Sequence, residues 1–252
     1  MMEYRNVAVV GAGTMGRGIA HVAALAGYQT WLADVDQSTL QKSLTEVEHD
    51  LAVAVAREKI SEVQRSAALS RLELVTDLDS IVSKCDLVIE AVPERMALKQ
   101  EIFSRISHLV EDHSILATNT SALSVSEIAS SSRLPERVIG MHFFNPPHKV
   151  RLLEIIRADQ TSDQVVEAVR EIGVRMNREL VVVNDSPGFA SSRLGIALGM
   201  EAIRMVEQGV AVPEDIDAAM IHGYRHPIGP LRLGDLVGLD VRLAVGLSLI
   251  HI

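Results

Sequence analysis

An α/β fold, with a mostly parallel sheet covered by helices and a second, smaller all-helical domain, is predicted by three features of this chain. Short apolar runs of β-type residues alternate with longer segments of helical period, the pattern of strands joined by crossover helices. A glycine-rich turn follows the first apolar run. Strand signals then stop at the turn Asp185-Ser186-Pro187-Gly188, and helical periodicity takes over. The length of 252 residues and apolar content of 48% supply a substantial buried core, in one large domain or two.

Taken in order, strands are expected at 7–10, 30–33, 87–91, 115–117 and 138–144. Between the first two lies a helix at 16–26, where Ile19, Val22, Ala23 and Ala26 share one face. The stretch 37–72 reads as two helices rich in Glu, Lys, Arg and Ala, with Ser61 as the N-cap between them. That excursion is longer than sheet packing needs, so it is expected to project over a bound ligand. After Asn145, strands at 152–156 and 180–183 flank a helix at 162–176. Helices follow at 189–207, at 213–222 with Pro213 in its first turn, and from about Pro230. These elements divide the chain into domains 1–185 and 186–252.

Composition excludes several function classes. A formal net charge of −9 argues against a general nucleic-acid binder, which needs basic surface to displace counterions. No apolar run approaches the roughly 20 residues of a membrane span. The polar stretch Glu3-Tyr4-Arg5-Asn6 leaves no room for a signal peptide, so a soluble cytoplasmic protein is expected. Cys85 is the single cysteine and cannot form an internal bridge; it reads as buried filler in a reducing compartment. No metal-ligand set is read from the sequence.

Gly11-Ala12-Gly13-Thr14-Met15-Gly16 has the G-x-G-x-x-G spacing between a strand and a helix, the context that makes a Rossmann-type dinucleotide site. Gly11 serves the sharp turn, Gly13 lets the backbone approach a pyrophosphate, and Gly16 allows close helix packing. The helix N-terminus offers N–H groups to phosphate. Asp34, about 20 residues on, sits where a carboxylate accepts from ribose hydroxyls. No Arg or Lys in 35–39 is present to pair a 2′-phosphate, so NAD is expected over NADP. The competing role for Asp34 is a turn or helix cap, a task better suited to Asp36.

His142 and Asn145 lie near the end of an apolar strand that Pro146 and Pro147 terminate. Twelve residues after His142, Glu154 interrupts the aliphatic run of Leu152, Leu153, Ile155 and Ile156. A carboxylate there needs a partner, because an unpaired buried charge is costly. If the chain folds back, His142 and Glu154 form a dyad in which the carboxylate orients the imidazole for proton exchange with an alcohol. A histidine satisfied within the core is the alternative.

Considered as a set, Gly11–Gly16, Asn119-Thr120-Ser121, His142-Phe143-Phe144-Asn145-Pro146, Glu154, Asp185-Ser186-Pro187-Gly188-Phe189 and Pro227-Ile228-Gly229-Pro230 resemble the 3-hydroxyacyl-CoA dehydrogenase family. The likeness runs from about Val7 to Arg242 and is greatest to the short, free-standing 3-hydroxybutyryl-CoA type. The resemblance implies that NAD is the cofactor, an acyl-CoA the substrate, and fatty-acid metabolism of the β-oxidation kind the setting. It implies His142 as general base with Glu154 as its partner, and Ser121 and Asn145 on the substrate oxygens and the nicotinamide side. Glu94 and Lys99 match positions that contact the cofactor, though an exposed helix start would also explain them. Arg57 matches a basic position near the CoA nucleotide, with Lys59 and Arg65 as further cations on what is otherwise a solvated helix face. The helical domain is implied to close the substrate cleft and to form a homodimer.

Two departures qualify the resemblance. Ser192 stands before Arg193, where many members carry asparagine, and a hydroxyl reaches less far than an amide. An altered substrate preference is expected. The tail 246–252 stops resembling the family and reads as a fragment of an incomplete helical domain. Two other readings remain open: an NAD-dependent dehydrogenase of a non-CoA hydroxy acid, and an inactive NAD-binding protein.

Overall fold

The structure, a computed structural model, describes residues 4–248; the expected departing tail lies outside them from 249 onward, while 246–248 belong to a helix. Eight strands form one sheet among these residues: β1 (Asn6–Val10), β2 (Gln29–Ala33), β3 (Leu72–Val75), β4 (Leu87–Glu90), β5 (Ile115–Thr118), β6 (Val138–Phe143), β7 (Leu152–Arg157) and β8 (Glu179–Asn184). Their order is β3-β2-β1-β4-β5-β6-β7-β8. Every pairing is parallel except β6 with β7. The strand order reverses beside β1, and a crevice outside the carboxyl ends at such a point is where α/β sheets take ligands.

Strands β4, β5 and β6 are buried throughout because helices cover both faces of a parallel sheet, which is why they read as continuous apolar runs. The edge strand β8 differs, and its Val181 and Val182 remain exposed. One strand escaped the sequence reading. Leu72 begins β3 rather than ending a helix, since the run Leu72-Glu73-Leu74-Val75 is short and pairs with β2 only after a long excursion.

Helices α1 (Thr14–Leu25), α2 (Gln37–Ala56), α3 (Glu62–Ser70), α4 (Asp79–Val82), α5 (Met96–Ser107), α6 (Val125–Ala129) and α7 (Asp163–Arg175) join these strands. Ile19, Val22 and Ala23 of α1 and Leu40, Val47 and Leu51 of α2 enter one core with the sheet. Asp36 caps α2 by accepting from the Ser38 N–H, and Thr39 and Ser38 hydroxyls hold its carboxyl below the usual range. Ser61 and Gln64 form a reciprocal capping box on α3, as the sequence predicts. Arg57 follows α2 directly, and Glu58 takes a left-handed φ of 56° where the chain leaves the helix.

The chain divides into two compact units, 4–120 with 124–185, and 121–123 with 186–248. The second contains α8 (Ser191–Glu207), α9 (Pro213–Ala218), α10 (Pro230–Val237) and α11 (Leu239–Ser248). Helix α8 starts two residues later than expected because Phe189 adopts a left-handed φ of 51°. The helix expected over 213–222 is α-helical only to Ala218 and continues as a π-helical turn over Ala219–Gly223. Asp217 accepts from the N–H groups of Leu231 and Arg232 at 2.8 and 3.0 Å and so anchors the start of α10.

Cys85 is buried, its thiol contacts the Ile81 carbonyl oxygen at 3.4 Å, and burial pushes its pKa up to about 12. Thiolate is the reactive form. Iodoacetamide at about pH 8 is therefore expected to leave the native thiol unmodified and to alkylate it fully in urea, as followed by mass spectrometry. Rapid native alkylation would show that α4 and β4 do not enclose it.

Candidate active site

The polar groups of the first unit concentrate at the carboxyl ends of its parallel strands. Leaving β1, Gly11 takes a φ of 99° and donates to the Ala33 carbonyl at 2.8 Å. A side chain there would strike the Ala91 carbonyl, and one at Gly16 would strike the carbonyl of Gly11. Gly13 differs: a Cβ would meet nothing, so the loop is open on that side. Gly13 is also the N-cap of α1, with no side-chain cap and no acidic residue in the first turn. The α1 N-terminus thus presents N–H groups and positive partial charge at an open glycine.

Ala12 completes that loop, and Thr14 and Met15 open α1. Asp34 Oδ2 accepts from the Ala12 N–H at 2.7 Å and Oδ1 from the Asp36 N–H at 3.0 Å. The acid thus braces the glycine loop. A carboxylate has about four acceptor sites, so these two bonds leave it the capacity to bind hydroxyls.

Further along the sheet edge, the antiparallel register sets His142 directly opposite Glu154. His142 Nδ1 and Glu154 Oε2 are 2.8 Å apart, and the two residues are 5% and 1% exposed. An ionised carboxylate only accepts, so in this pair the hydrogen lies on Nδ1 and the neutral ring keeps Nε2 as its acceptor. Packing fixes the register. At Gly140 a Cβ would collide with Ile156, its partner across the pair. Asn119 Oδ1 accepts from the Phe143 N–H at 2.8 Å and ties the end of β5 to the end of β6. Asn145 is exposed in the turn that follows, three residues past His142.

A buried charge network, not assembled by the sequence reading, lies at the end of β4. Lys99 of α5 is fully buried, with Nζ 2.7 and 2.9 Å from the two oxygens of Glu90, itself fully buried. Glu90 also accepts from the Val92 N–H and the Thr118 hydroxyl, each at 2.7 Å. Glu94, more exposed, lies 3.3 Å from Lys99 Nζ and accepts from the Thr120 hydroxyl at 2.6 Å. Lys99 is therefore no surface residue of a helix start. Its ammonium is spent on two carboxylates, and Glu94 is the partner nearer solvent. The signal available in the sequence was Glu90 itself, a carboxylate closing an apolar strand.

The model of the 3-hydroxyacyl-CoA dehydrogenase NAD binding domain matches residues 6–186, and that of the C-terminal domain matches 188–248. The chain belongs to the 3-hydroxyacyl-CoA dehydrogenase family. A probable 3-hydroxybutyryl-CoA dehydrogenase of Bacillus subtilis is 40% identical over 244 residues, 97% of this chain and 85% of the relative. A 3-hydroxybutyryl-CoA dehydrogenase of Clostridioides difficile is 41% identical over 95% of this chain and 85% of its own length. Among solved structures, the (S)-3-hydroxybutyryl-CoA dehydrogenase of Ralstonia eutropha superposes with a TM-score of 0.94 at 38% identity, covering 98% of this chain and 87% of that one. The 3-hydroxybutyryl-CoA dehydrogenase structure from Escherichia coli gives 0.95 at 38% identity; 99% of this chain is covered, but only 53% of that longer chain.

The family is NAD-dependent, its members are oxidoreductases, and the open Gly13 with the uncapped α1 terminus fits the pyrophosphate of that cofactor. Of the residues singled out from the sequence, the structure joins His142 with Glu154, Lys99 with Glu94, and Asp34 with the glycine loop. Arg57 and Lys59 are exposed, and Arg65 pairs with Glu62 at 2.6 Å. Ser121 and Ser192, both partly buried, belong to the second unit.

Breaking a buried ion pair from one side leaves the other charge stranded, at a cost of about 3–5 kcal/mol. Lys99→Met is expected to lower the urea midpoint accordingly, and Glu90→Leu added to it is expected to recover part of the loss. Equal stability of Lys99→Met and wild type would contradict the network's role.

Proposed function

We propose that this chain oxidises a short-chain 3-hydroxyacyl-CoA to the 3-oxoacyl-CoA with NAD, and that His142 and Glu154 supply the general base. The observation that carries the reading is the buried pair at 2.8 Å across β6 and β7. The names of the relatives support the substrate class.

The glycine loop and Asp34 would hold NAD, which when bound would supply the acceptor for the C3 hydride, and it falls to the protein to remove the hydroxyl proton. His142 Nε2 takes it. Glu154, holding Nδ1–H, fixes the tautomer and stabilises the imidazolium as it forms. The buried carboxylate lowers the barrier because its charge is already in place. Asn145 and Ser121 hold the substrate oxygens and the nicotinamide side, and Ser192 shapes the acyl preference. Asp34 takes the adenosine ribose. Glu94 approaches the cofactor, and Lys99 positions Glu94 rather than reaching the ligand itself.

Arg57 meets the phosphates of CoA, a local cation that an acidic protein requires for a polyanionic substrate. In this reading, residues 1–185 bind NAD, and 186–252 contribute to the substrate cleft and to a homodimer. Exposed Leu194, Leu236, Leu239, Leu243 and Leu247 of the helical unit support such a contact. Among the described residues no helix is long and apolar enough to cross a membrane. The reading places the enzyme in the cytoplasm, in fatty-acid metabolism of the β-oxidation type.

NADH oxidation with acetoacetyl-CoA tests the proposal. Wild type should turn over, with NADH preferred over NADPH, and His142→Gln should lose about 10²–10⁴-fold in kcat. Glu154→Gln should lose activity in the same direction, since the tautomer is no longer enforced. Folded protein that binds NADH but leaves acetoacetyl-CoA unreduced would refute the proposal; turnover of a free hydroxy acid instead would refute the CoA assignment.

A further inference from the structure

Away from the catalytic pair, ligating side chains from three separate elements of the first unit converge. His21 lies on α1, Asp50 on α2 and His148 in the turn between β6 and β7. Each offers one ligand atom, and these atoms lie within 4.8 Å of one another. The two imidazole rings are stacked, with centroids 5.4 Å apart and planes 5° from parallel. His148 Nδ1 is 3.7 Å from Asp50 Oδ2.

His21 is only 4% exposed, and among the described residues its Nδ1 has no hydrogen-bond partner. Buried polar atoms are nearly always satisfied, so an orphaned nitrogen on a ring that stacks on a second imidazole and lies beside a carboxylate calls for something that binds it. Apolar packing does not explain it. A core position needing only volume would be filled by an aliphatic residue without the cost of an unpaired nitrogen.

We propose that His21, Asp50 and His148 form a binding site for a divalent transition-metal ion. Two imidazoles and one carboxylate are the donor set of Zn²⁺, Co²⁺, Ni²⁺ or Cu²⁺, whereas Mg²⁺ and Ca²⁺ demand oxygen ligands. A tetrahedral ion with bonds of about 2.0–2.2 Å needs its ligand atoms about 3.3–3.6 Å apart. The spread of up to 4.8 Å therefore closes by as much as about 1.5 Å. His21 is the fixed ligand. The side chains of His148 and Asp50 are 16% and 25% exposed and can swing inward as the stack opens.

The charged surroundings are mixed. Arg17, Lys149 and Arg178 are the nearby cations. Arg17 is paired with Glu46, and Arg178 is turned onto the carbonyl oxygens of Pro147 and Val150 at 2.8 and 2.9 Å. These partners reduce the repulsion an incoming dication meets, and Asp50 supplies the neutralising charge. Pro147 already packs on Gly18 of α1, where a Cβ would collide with the ring. A bound ion would fasten the turn that carries Asn145 to both α1 and α2.

The site stands apart from the dehydrogenase reading and is tested without turnover. EDTA-treated protein is titrated with Zn²⁺ against a chromogenic chelator and with Co²⁺ by visible absorption. One ion per chain is expected, with histidine-ligated Co²⁺ bands and a rise in Tm. His148→Gln and Asp50→Asn, both at partly exposed positions, should each weaken binding at least about tenfold, the loss that even an outer-shell change produces. Exposed His108→Gln should change nothing. No stoichiometric binding, or binding unaltered in both His148→Gln and Asp50→Asn, would overturn the site.

Discussion

Antiparallel pairing of β7 against β6 is the constraint on which the rest of the site depends. In a sheet the side-chain period is two, so a slip of one residue would send Glu154 to the opposite face from His142. The register is held from several directions. Gly140 leaves room for Ile156, Asn119 grips the Phe143 N–H, and Arg178 binds two carbonyls of the intervening turn. The parallel pairing of β7 with β8 then covers the far side of the added strand. A carboxylate in the middle of a buried aliphatic strand is tolerable only because its imidazole partner is delivered opposite it.

The remainder of the chemistry follows from the parallel part of the sheet. Helices on both faces force the strand interiors to be apolar, so polar groups collect at the carboxyl ends. Asp34 directly follows β2, Glu90 ends β4, Thr118 ends β5 with Asn119 just beyond it, and His142 sits near the end of β6. Each is tied to its neighbour: Asp34 to the glycine loop, Glu90 to Thr118 and Lys99, and Asn119 to β6. Such bracing keeps the groups rigid in a region where loops would otherwise be free to move.

Much of this was legible in the sequence, for physical reasons that can be named. The glycine motif and the continuous apolar strands announce a doubly wound sheet because backbone geometry and burial leave little alternative there. Glu154 was legible as a charge in the wrong company. What stayed hidden depends on long-range contact. Leu72–Val75 looks like the end of a helical stretch until β2 pairs with it, and Lys99 looks like a helix-surface lysine until Glu90 closes on it. The His21, Asp50 and His148 cluster is likewise scattered along the chain, with no local spacing to suggest ligands. The left-handed Phe189 and the π-helical turn after Ala218 reflect backbone choices that periodicity does not encode.

The central claim is that register delivers His142 to Glu154 with Nδ1 protonated, the tautomer that the proposed general base requires. Histidine-selective ¹⁵N NMR of the neutral imidazole measures this directly, with His142→Gln used to assign the signal. The account predicts the Nδ1–H tautomer for His142, lost or mixed with the other form in Glu154→Gln. A His142 ring in the Nε2–H tautomer, indifferent to Glu154→Gln, would contradict it.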